Sequence, residues 1–287
     1  MAEVPRKPRD DEIDVWGLTH PGKVRKDNQD HFLLASLHRQ LRVHDTSIPG
    51  PHNLELGEER LAFLAMVADG VGGRSRGEEA SRIALEAVTQ YVTSSTLAWY
   101  QGDAREEQFI DLLQQAALRS HERVRDRAAS DPAHTGMATT LTLFIGVWPW
   151  YYLLQVGDSR YYLYRNGALT QVTRDQTMAQ DLVDQGVLAR SALARSPFAN
   201  VLSSAIGGEQ TAPVVTRIAS DWGIVHLLCS DGLTKHVSDE RIAERLATME
   251  SARGCAEGLL ADALDGGGTD NITIIVGRAI ARPDGDA

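Results

Sequence analysis

Four aspartates stand in short turn-bearing phrases beside apolar runs, spread over most of the chain. They are Asp69 in Val67-Ala68-Asp69-Gly70-Val71-Gly72-Gly73, Asp158 in Val156-Gly157-Asp158-Ser159-Arg160, Asp231 in Cys229-Ser230-Asp231-Gly232 and Asp270 in Gly268-Thr269-Asp270-Asn271. An apolar run that ends in Asp-Gly reads as a strand closing in a tight turn, so each carboxylate is expected at a strand mouth where the others can converge on it. Carboxylates gathered in this way repel one another unless a cation lies between them. Oxygen-only ligation selects hard divalent ions, Mg²⁺ or Mn²⁺, and two such ions about 4 Å apart form a clamp for hydrolysing phosphate esters. A chain whose Asp69 and Asp270 must meet is expected to form one domain, although 287 residues leave room for two small cores.

Composition narrows the partners. A formal charge of −10 argues against a footprint for nucleic acid or an anionic membrane, both of which need a basic face. Cys229 and Cys255 lie far apart with no CxxC spacing, so neither a disulfide framework nor a zinc knuckle is indicated, and a reducing cytoplasm fits best. The nine histidines form no HxH or HExxH pattern; His31 and His226 read as strand residues, and His38, His44 and His52 as loop residues. No apolar stretch approaches the roughly 20 residues of a membrane span, and the charged start does not resemble a signal peptide. Residues 1–12 and 281–287 read as flexible tails around a domain of residues 13–280.

Strands are expected over Ile13 to Thr19 and His31 to Ser36, followed by an inserted loop from Leu37 to Arg60, which holds Pro49, Gly50, Pro51 and Gly57. Leu61 to Ala68 is nearly all apolar, as expected of a strand buried on both faces. Ala80, Ile83, Ala84, Ala87, Val88 and Tyr91 recur at helical spacing, and a second helix is expected from Glu106 to Ala129. Strands then dominate from Ala138 to Val172, with Asn166-Gly167 as a hairpin turn. A short helix over Gln176 to Gln185, two further strands, two helices and a closing strand from Asn271 complete the chain. Strands joined by tight turns pair antiparallel, so the fold class is α+β: a central antiparallel β-sandwich with helices outside.

The ordered phrases include Arg25 with Asn28-Gln29-Asp30, Val67-Ala68-Asp69-Gly70-Val71-Gly72-Gly73 and Gly136-Met137-Ala138-Thr139-Thr140. Val156-Gly157-Asp158-Ser159-Arg160, Cys229-Ser230-Asp231-Gly232-Leu233 and Thr269-Asp270-Asn271 follow. Together they resemble the metal-dependent protein serine/threonine phosphatases of the PP2C (PPM) family, bacterial branch, over about residues 13 to 280. The resemblance implies a β-sandwich flanked by helix pairs on both outer faces. It also implies hydrolysis of phosphoserine and phosphothreonine in proteins by a water bridging two divalent metal ions, with a bacterial Ser/Thr kinase as the opposing partner. Carried over by position, Asp69 bridges both metals and the Gly70 carbonyl binds one, while Asp231 and Asp270 hold the other. Asp30 orients metal-bound waters, Arg25 grips the substrate phosphate, and Asp158 builds a looser third metal site with Asp231.

Three positions depart from the family pattern. Val71 stands where many eukaryotic members have a histidine, a candidate acid for the leaving group; Gln29 replaces a glutamate; and Asp175-Gln176-Thr177 replaces Asp-His-Ser at the start of the mobile flap. None of these is a proposed direct metal ligand. Blander readings stand beside the sharp ones: an aspartate before glycine commonly caps a turn, Arg25 beside Lys23 and Lys26 reads as a solvated loop residue, and Arg160 as a structural partner of some carboxylate. Two other functions use the same residues. A catalytically inactive regulatory module of this fold is expected to lose metal ligands, and this chain keeps them. A small-molecule phosphoesterase would use the same chemistry.

Overall fold

The computed structural model describes residues 6–41, 56–72, 75–100 and 106–281. In chain order the first elements are β1 (Ile13–His20), β2 (His31–Leu41), β3 (Leu56–Ala68), β4 (Gly70–Val71), α1 (Ser75–Tyr100) and α2 (Glu106–Ser130). A run of strands follows: β5 (Ala138–Thr139), β6 (Leu141–Val147), β7 (Trp150–Val156), β8 (Arg160–Arg165) and β9 (Ala168–Gln171). Then come α3 (Met178–Asp184), β10 (Val214–Ala219), β11 (Val225–Cys229), α4 (Asp231–Thr234), α5 (Asp239–Ala247), α6 (Ala252–Asp265) and β12 (Ile272–Ala279).

The strands form two five-stranded sheets, β1-β12-β11-β8-β9 and β10-β7-β6-β3-β2, and β4 pairs with β5 in a small ribbon. Every pairing is antiparallel. Alternation along the strands then decides which layer each side chain joins. Leu64 and Met66 of β3, with Leu143 and Ile145 of β6, pack under Ala84 and Val88 of α1 and Phe109 and Leu113 of α2. Their neighbours Ala65, Val67 and Phe144 point the other way and meet Tyr161, Leu228 and Ile275 of the facing sheet. Beyond that sheet, Leu227, Ile274 and Val276 pack under Ile242 and Leu246 of α5 and Leu259 and Ala263 of α6. Three apolar layers thus separate four structural ones, and each large side chain buried contributes about 1.5–3 kcal/mol. The apolar run at 61–68 follows from its place between two of those layers.

The antiparallel register also decides where the aspartates go. His31 pairs with Ala68, which sets Asp30 beside Asp69. Cys229 pairs with Ile274 on one side and Arg160 on the other, while His20 pairs with Ile272. The end of β11, the start of β12, the start of β8 and the end of β1 therefore lie together at one end of the sandwich. At the β8–β9 hairpin, Asn166 and Gly167 take φ of 52° and 81°, the pair of positive values that a two-residue primed turn requires.

Three sequence expectations need correction. The inserted loop is shorter than Leu37 to Arg60: residues 37–41 extend β2 and residues 56–60 extend β3, with register shifts after Leu37 and Arg39, and residues 42–55 lie outside the described ones. His38 is accordingly a strand residue, whereas His44 and His52 fall outside. Charged residues disguised this ribbon, for Arg39 Nη2 reaches Glu59 Oε2 at 2.5 Å across the pair and His38 Nδ1 reaches Glu58 Oε1 at 3.1 Å. The N-terminal tail is also shorter than residues 1–12. Asp10–Glu12 form a turn of 3-10 helix, and buried Glu12 holds Arg6 at 2.6 Å and Arg9 at 3.1 Å. Residues 1–5 and 282–287 lie outside the described residues.

Candidate metal centre

Asp69 sits between β3 and β4, and its backbone is locked before its side chain is considered. Its N–H donates to Thr140 Oγ1 at 2.9 Å, and its carbonyl accepts from Thr139 Oγ1 at 2.8 Å and from the Thr140 N–H at 2.9 Å. The Gly136-to-Thr140 phrase is thus a cradle for Asp69. Gly70 is pressed against other backbone, since a Cβ there would lie 2.3 Å from the Gly77 carbonyl oxygen and 2.6 Å from that of Gln29. No larger residue fits, so the turn after Asp69 is glycine by necessity.

Asp231 opens α4, a short helix and not the simple tight turn expected of Asp-Gly. A Cβ on Gly232 would lie 1.9 Å from the Asn271 carbonyl oxygen, and this close approach is what brings Asp231 and Asp270 side by side. Asn271 in turn ties down the loop that carries Arg25. Its Nδ2 donates to the carbonyls of Pro21 and Asp27 at 3.0 Å each, and its Oδ1 accepts from the Gln29 N–H at 2.9 Å.

Five carboxylates share this end of the sandwich. Burial pushes the Asp30 carboxyl up to about 6, against the help of hydrogen bonds from Thr273 and Ser230. Asp158 is pushed up to about 7 by burial and then by Asp231 and Asp175. Asp69 lies well above its ordinary value, first through burial and then through repulsion from Asp30, Asp231, Asp158 and Asp270. Asp231 is raised by burial although Lys235 works against it. For Asp270 burial also acts upward, but Lys235 and Arg25 more than offset it and the net shift is downward.

Those two cations lie directly on the acidic groups. Arg25 Nε is 2.9 Å from Asp270 Oδ1, with the arginine 56% exposed at the rim. Lys235 Nζ is 2.6 Å from Asp231 Oδ2 and 2.8 Å from Asp270 Oδ2. As placed, among the described residues no three acidic, imidazole or thiol side chains stand close enough to ligate one ion. The donor set nevertheless fits hard cations. Asp30 Oδ1 and Asp231 Oδ1 are buried without a hydrogen-bond partner, and an anionic oxygen left so calls for a proton or a positive ion.

The structure brings Asp30, Asp69, Asp158, Asp231 and Asp270 together with Gly70, and sets Arg25 on Asp270. Lys235 and the tethering role of Asn271 escaped sequence reasoning. The signal for Lys235 was its position four residues after Asp231, the spacing of neighbours on one helical face. Arg160 is structural, as expected: its Nε and Nη2 grip the two oxygens of Asp175 at 2.9 and 2.7 Å. Gln176, where the resemblance led to expect histidine, braces the Asp158 turn by accepting from the Gly157 N–H at 2.8 Å. Val71 is 42% exposed and offers no proton.

Known proteins resemble this chain in sequence and in fold. Residues 55–265 match the family model described as protein phosphatase 2C. The serine/threonine protein phosphatase PstP of Mycobacterium tuberculosis strain H37Rv is 35% identical over 219 residues, which are 76% of this chain and 41% of that protein. The chain thus spans less than half the length of this relative. The serine/threonine phosphatase stp of Listeria monocytogenes serovar 1/2a is 30% identical over 216 residues, covering 74% of this chain and 83% of that one. Among solved structures, the catalytic domain of PstP in complex with two manganese ions superposes with a TM-score of 0.72 at 29% identity, over 94% of this chain and 99% of that one.

Proposed function

This chain belongs to the protein phosphatase 2C family, and on that footing we propose that it hydrolyses phosphoserine and phosphothreonine in proteins, with two Mn²⁺ or Mg²⁺ ions as cofactors. The observation that carries the reading is the buried acidic cluster with two oxygens that lack any donor, Asp30 Oδ1 and Asp231 Oδ1. All-oxygen donors favour hard divalent ions over zinc, and the relative crystallised with two manganese ions supports the same choice.

In this reading Asp69 and the Gly70 carbonyl serve one ion, Asp69, Asp231 and Asp270 the other, and Asp158 with Asp231 a looser third. Bound as a pair, such ions bring the pKa of a water near neutrality and offset charge on phosphoryl oxygens. The remaining work belongs to the chain. Asp30, held at Oδ2 by the Thr273 hydroxyl at 2.7 Å, keeps Oδ1 free to accept from a water and orient it. Arg25 is exposed at the rim and can turn its guanidinium from Asp270 to a phosphate, where two parallel N–H donors match two oxygens. The threonine pair Thr139 and Thr140 keeps Asp69 from moving as charge develops.

The substrates in this reading are phosphoproteins of a bacterial cytoplasm, and the opposing partner is a Ser/Thr kinase. Two buried free thiols, Cys229 and Cys255, are compatible with that compartment, and no helix among the described residues is long and apolar enough to cross a membrane. The test is hydrolysis of a phosphothreonine peptide, read as phosphate release, and of a dinucleotide, read as nucleotide product, in EDTA and with added Mn²⁺, Mg²⁺ or Zn²⁺. Release from the peptide only with Mn²⁺ or Mg²⁺ is expected. Full activity in excess EDTA, rescue by Zn²⁺ alone, or preference for the dinucleotide would overturn the reading.

A further inference from the structure

Lys235 is placed as few surface lysines are. It follows Asp231 by one helical turn, and its ammonium touches the carboxylates of both Asp231 and Asp270, at 2.6 and 2.8 Å. Its side chain is 28% exposed, and those of its two partners are 19% and 20% exposed. An ammonium at such distances occupies Oδ2 of both carboxylates, neutralises charge that an ion between them would draw on, and repels a second cation placed close beside it. Arg25 differs: it touches Asp270 alone, from the solvent side.

We propose that Lys235 is a built-in competitor for the metal ion held by Asp231 and Asp270. In the metal-free protein it neutralises those carboxylates and holds the start of α4 against the start of β12; it must swing out before that ion binds. Lys235 thereby sets the metal concentration at which the centre fills. The inference rests on the metal reading given above, and it concerns affinity, not the chemistry of the loaded site.

Calorimetric titration with Mn²⁺ on the purified protein, on Lys235→Met, on Lys235→Gln and on Lys235→Arg tests it. Methionine keeps the apolar stem without the charge, glutamine serves if methionine does not fold, and arginine keeps the charge. Removing the charge is expected to tighten one of the sites about tenfold, the scale of one charge-assisted hydrogen bond, with stoichiometry unchanged. Lys235→Arg is expected to stay within about twofold of the parent on the same scale. Melting curves add a second readout: without metal the neutral variants melt below the parent, and with saturating Mn²⁺ they melt level with it or above. Equal or weaker Mn²⁺ affinity in the neutral variants, or the same loss of melting temperature with and without metal, would reduce Lys235 to a brace. If the parent protein takes up neither Mn²⁺ nor Mg²⁺, the metal reading itself fails and the competitor role falls with it.

Discussion

A carboxylate is cheap to place at a surface and costly to bury, and the pKa pattern of the cluster records that cost. Asp69 is pushed up by burial and then by four neighbouring aspartates, so Asp69→Asn is expected to act in opposite directions on two properties. Turnover should drop on the order of 100-fold or more, because on the proposed metal reading Asp69 would serve both ions. The melting temperature in EDTA should rise, because repulsion from Asp30, Asp231, Asp158 and Asp270 is relieved. A variant that loses turnover and melts lower in EDTA would show that Asp69 is held by structure and not strained against its neighbours. Arg25 gives a second residue-scale prediction. Arg25→Ala should raise KM for a phosphopeptide several-fold while Mn²⁺ binding survives, and Arg25→Lys should recover only part, since an ammonium cannot reproduce the two-pronged contact. Unchanged kinetics in the alanine variant would leave Arg25 as a surface partner of Asp270. At this scale the aspartates could be singled out because several turn-bearing phrases beside apolar runs occur together in one order, although any one of them is a commonplace turn. Lys235 was not, because a lysine one turn after Asp231 looks in sequence like any solvated helix residue, and only the approach of β12 gives it a second carboxylate.

Elements were easier to read than their connections. Strand alternation placed β3, β6, β7, β11 and β12 because each is buried on both faces or nearly so, and a buried strand has little freedom in composition. The outer ends of β2 and β3 were misread as loop because Arg39, Gln40, Glu58 and Glu59 are exposed: cross-strand charge pairs such as Arg39 with Glu59 carry little hydrophobic pattern. The contact between α4 and β12 is likewise silent in sequence, since Gly232 looks like a turn glycine and its tight fit on Asn271 appears only in space. That contact makes a prediction. Gly232→Ala should destabilise the protein by roughly 1–3 kcal/mol through overpacking and should cut turnover, because Asp231 is pushed away from Asp270. Urea midpoints and turnover on the same sample check it; a stable, fully active alanine variant would mean that the two elements are free to part.

At the scale of the molecule, the layer between the sheets holds a buried imidazole whose pKa is moved by burial alone. His226 of β11 accepts or donates at Nδ1 to the Tyr161 hydroxyl at 2.6 Å, stacks near Phe144 and Tyr151, and borders an apolar cavity of about 90 Å³ lined by Val15, Phe63 and Leu228. Burial drives its pKa down to about 4 from an ordinary 6.5. The folded protein therefore refuses a proton that the unfolded chain takes up below pH 6.5, so stability from this group is intact above that pH and is lost as pH falls toward 4. The loss is on the order of 2–3 kcal/mol across the window. His226→Phe should flatten that part of the stability curve against pH, as measured by urea unfolding at intervals from pH 7.5 to 4. Parallel curves for parent and variant would mean that the ring titrates alike in the folded and the unfolded chain.

The order of the sheet has a consequence for synthesis. The last strand, β12, lies between β11 and the first strand, β1, and Asp270 stands immediately before it. While the ribosome has released only the residues ahead of Asp270, β1 has no neighbour on its β12 side and β11 has an open edge, however well the opposite sheet has formed. The acidic cluster then lacks Asp270 and the tether supplied by Asn271. The aspartates are therefore gathered in full only after β12 is released, so a product truncated short of β12 should bind metal poorly and aggregate through its exposed strand edges.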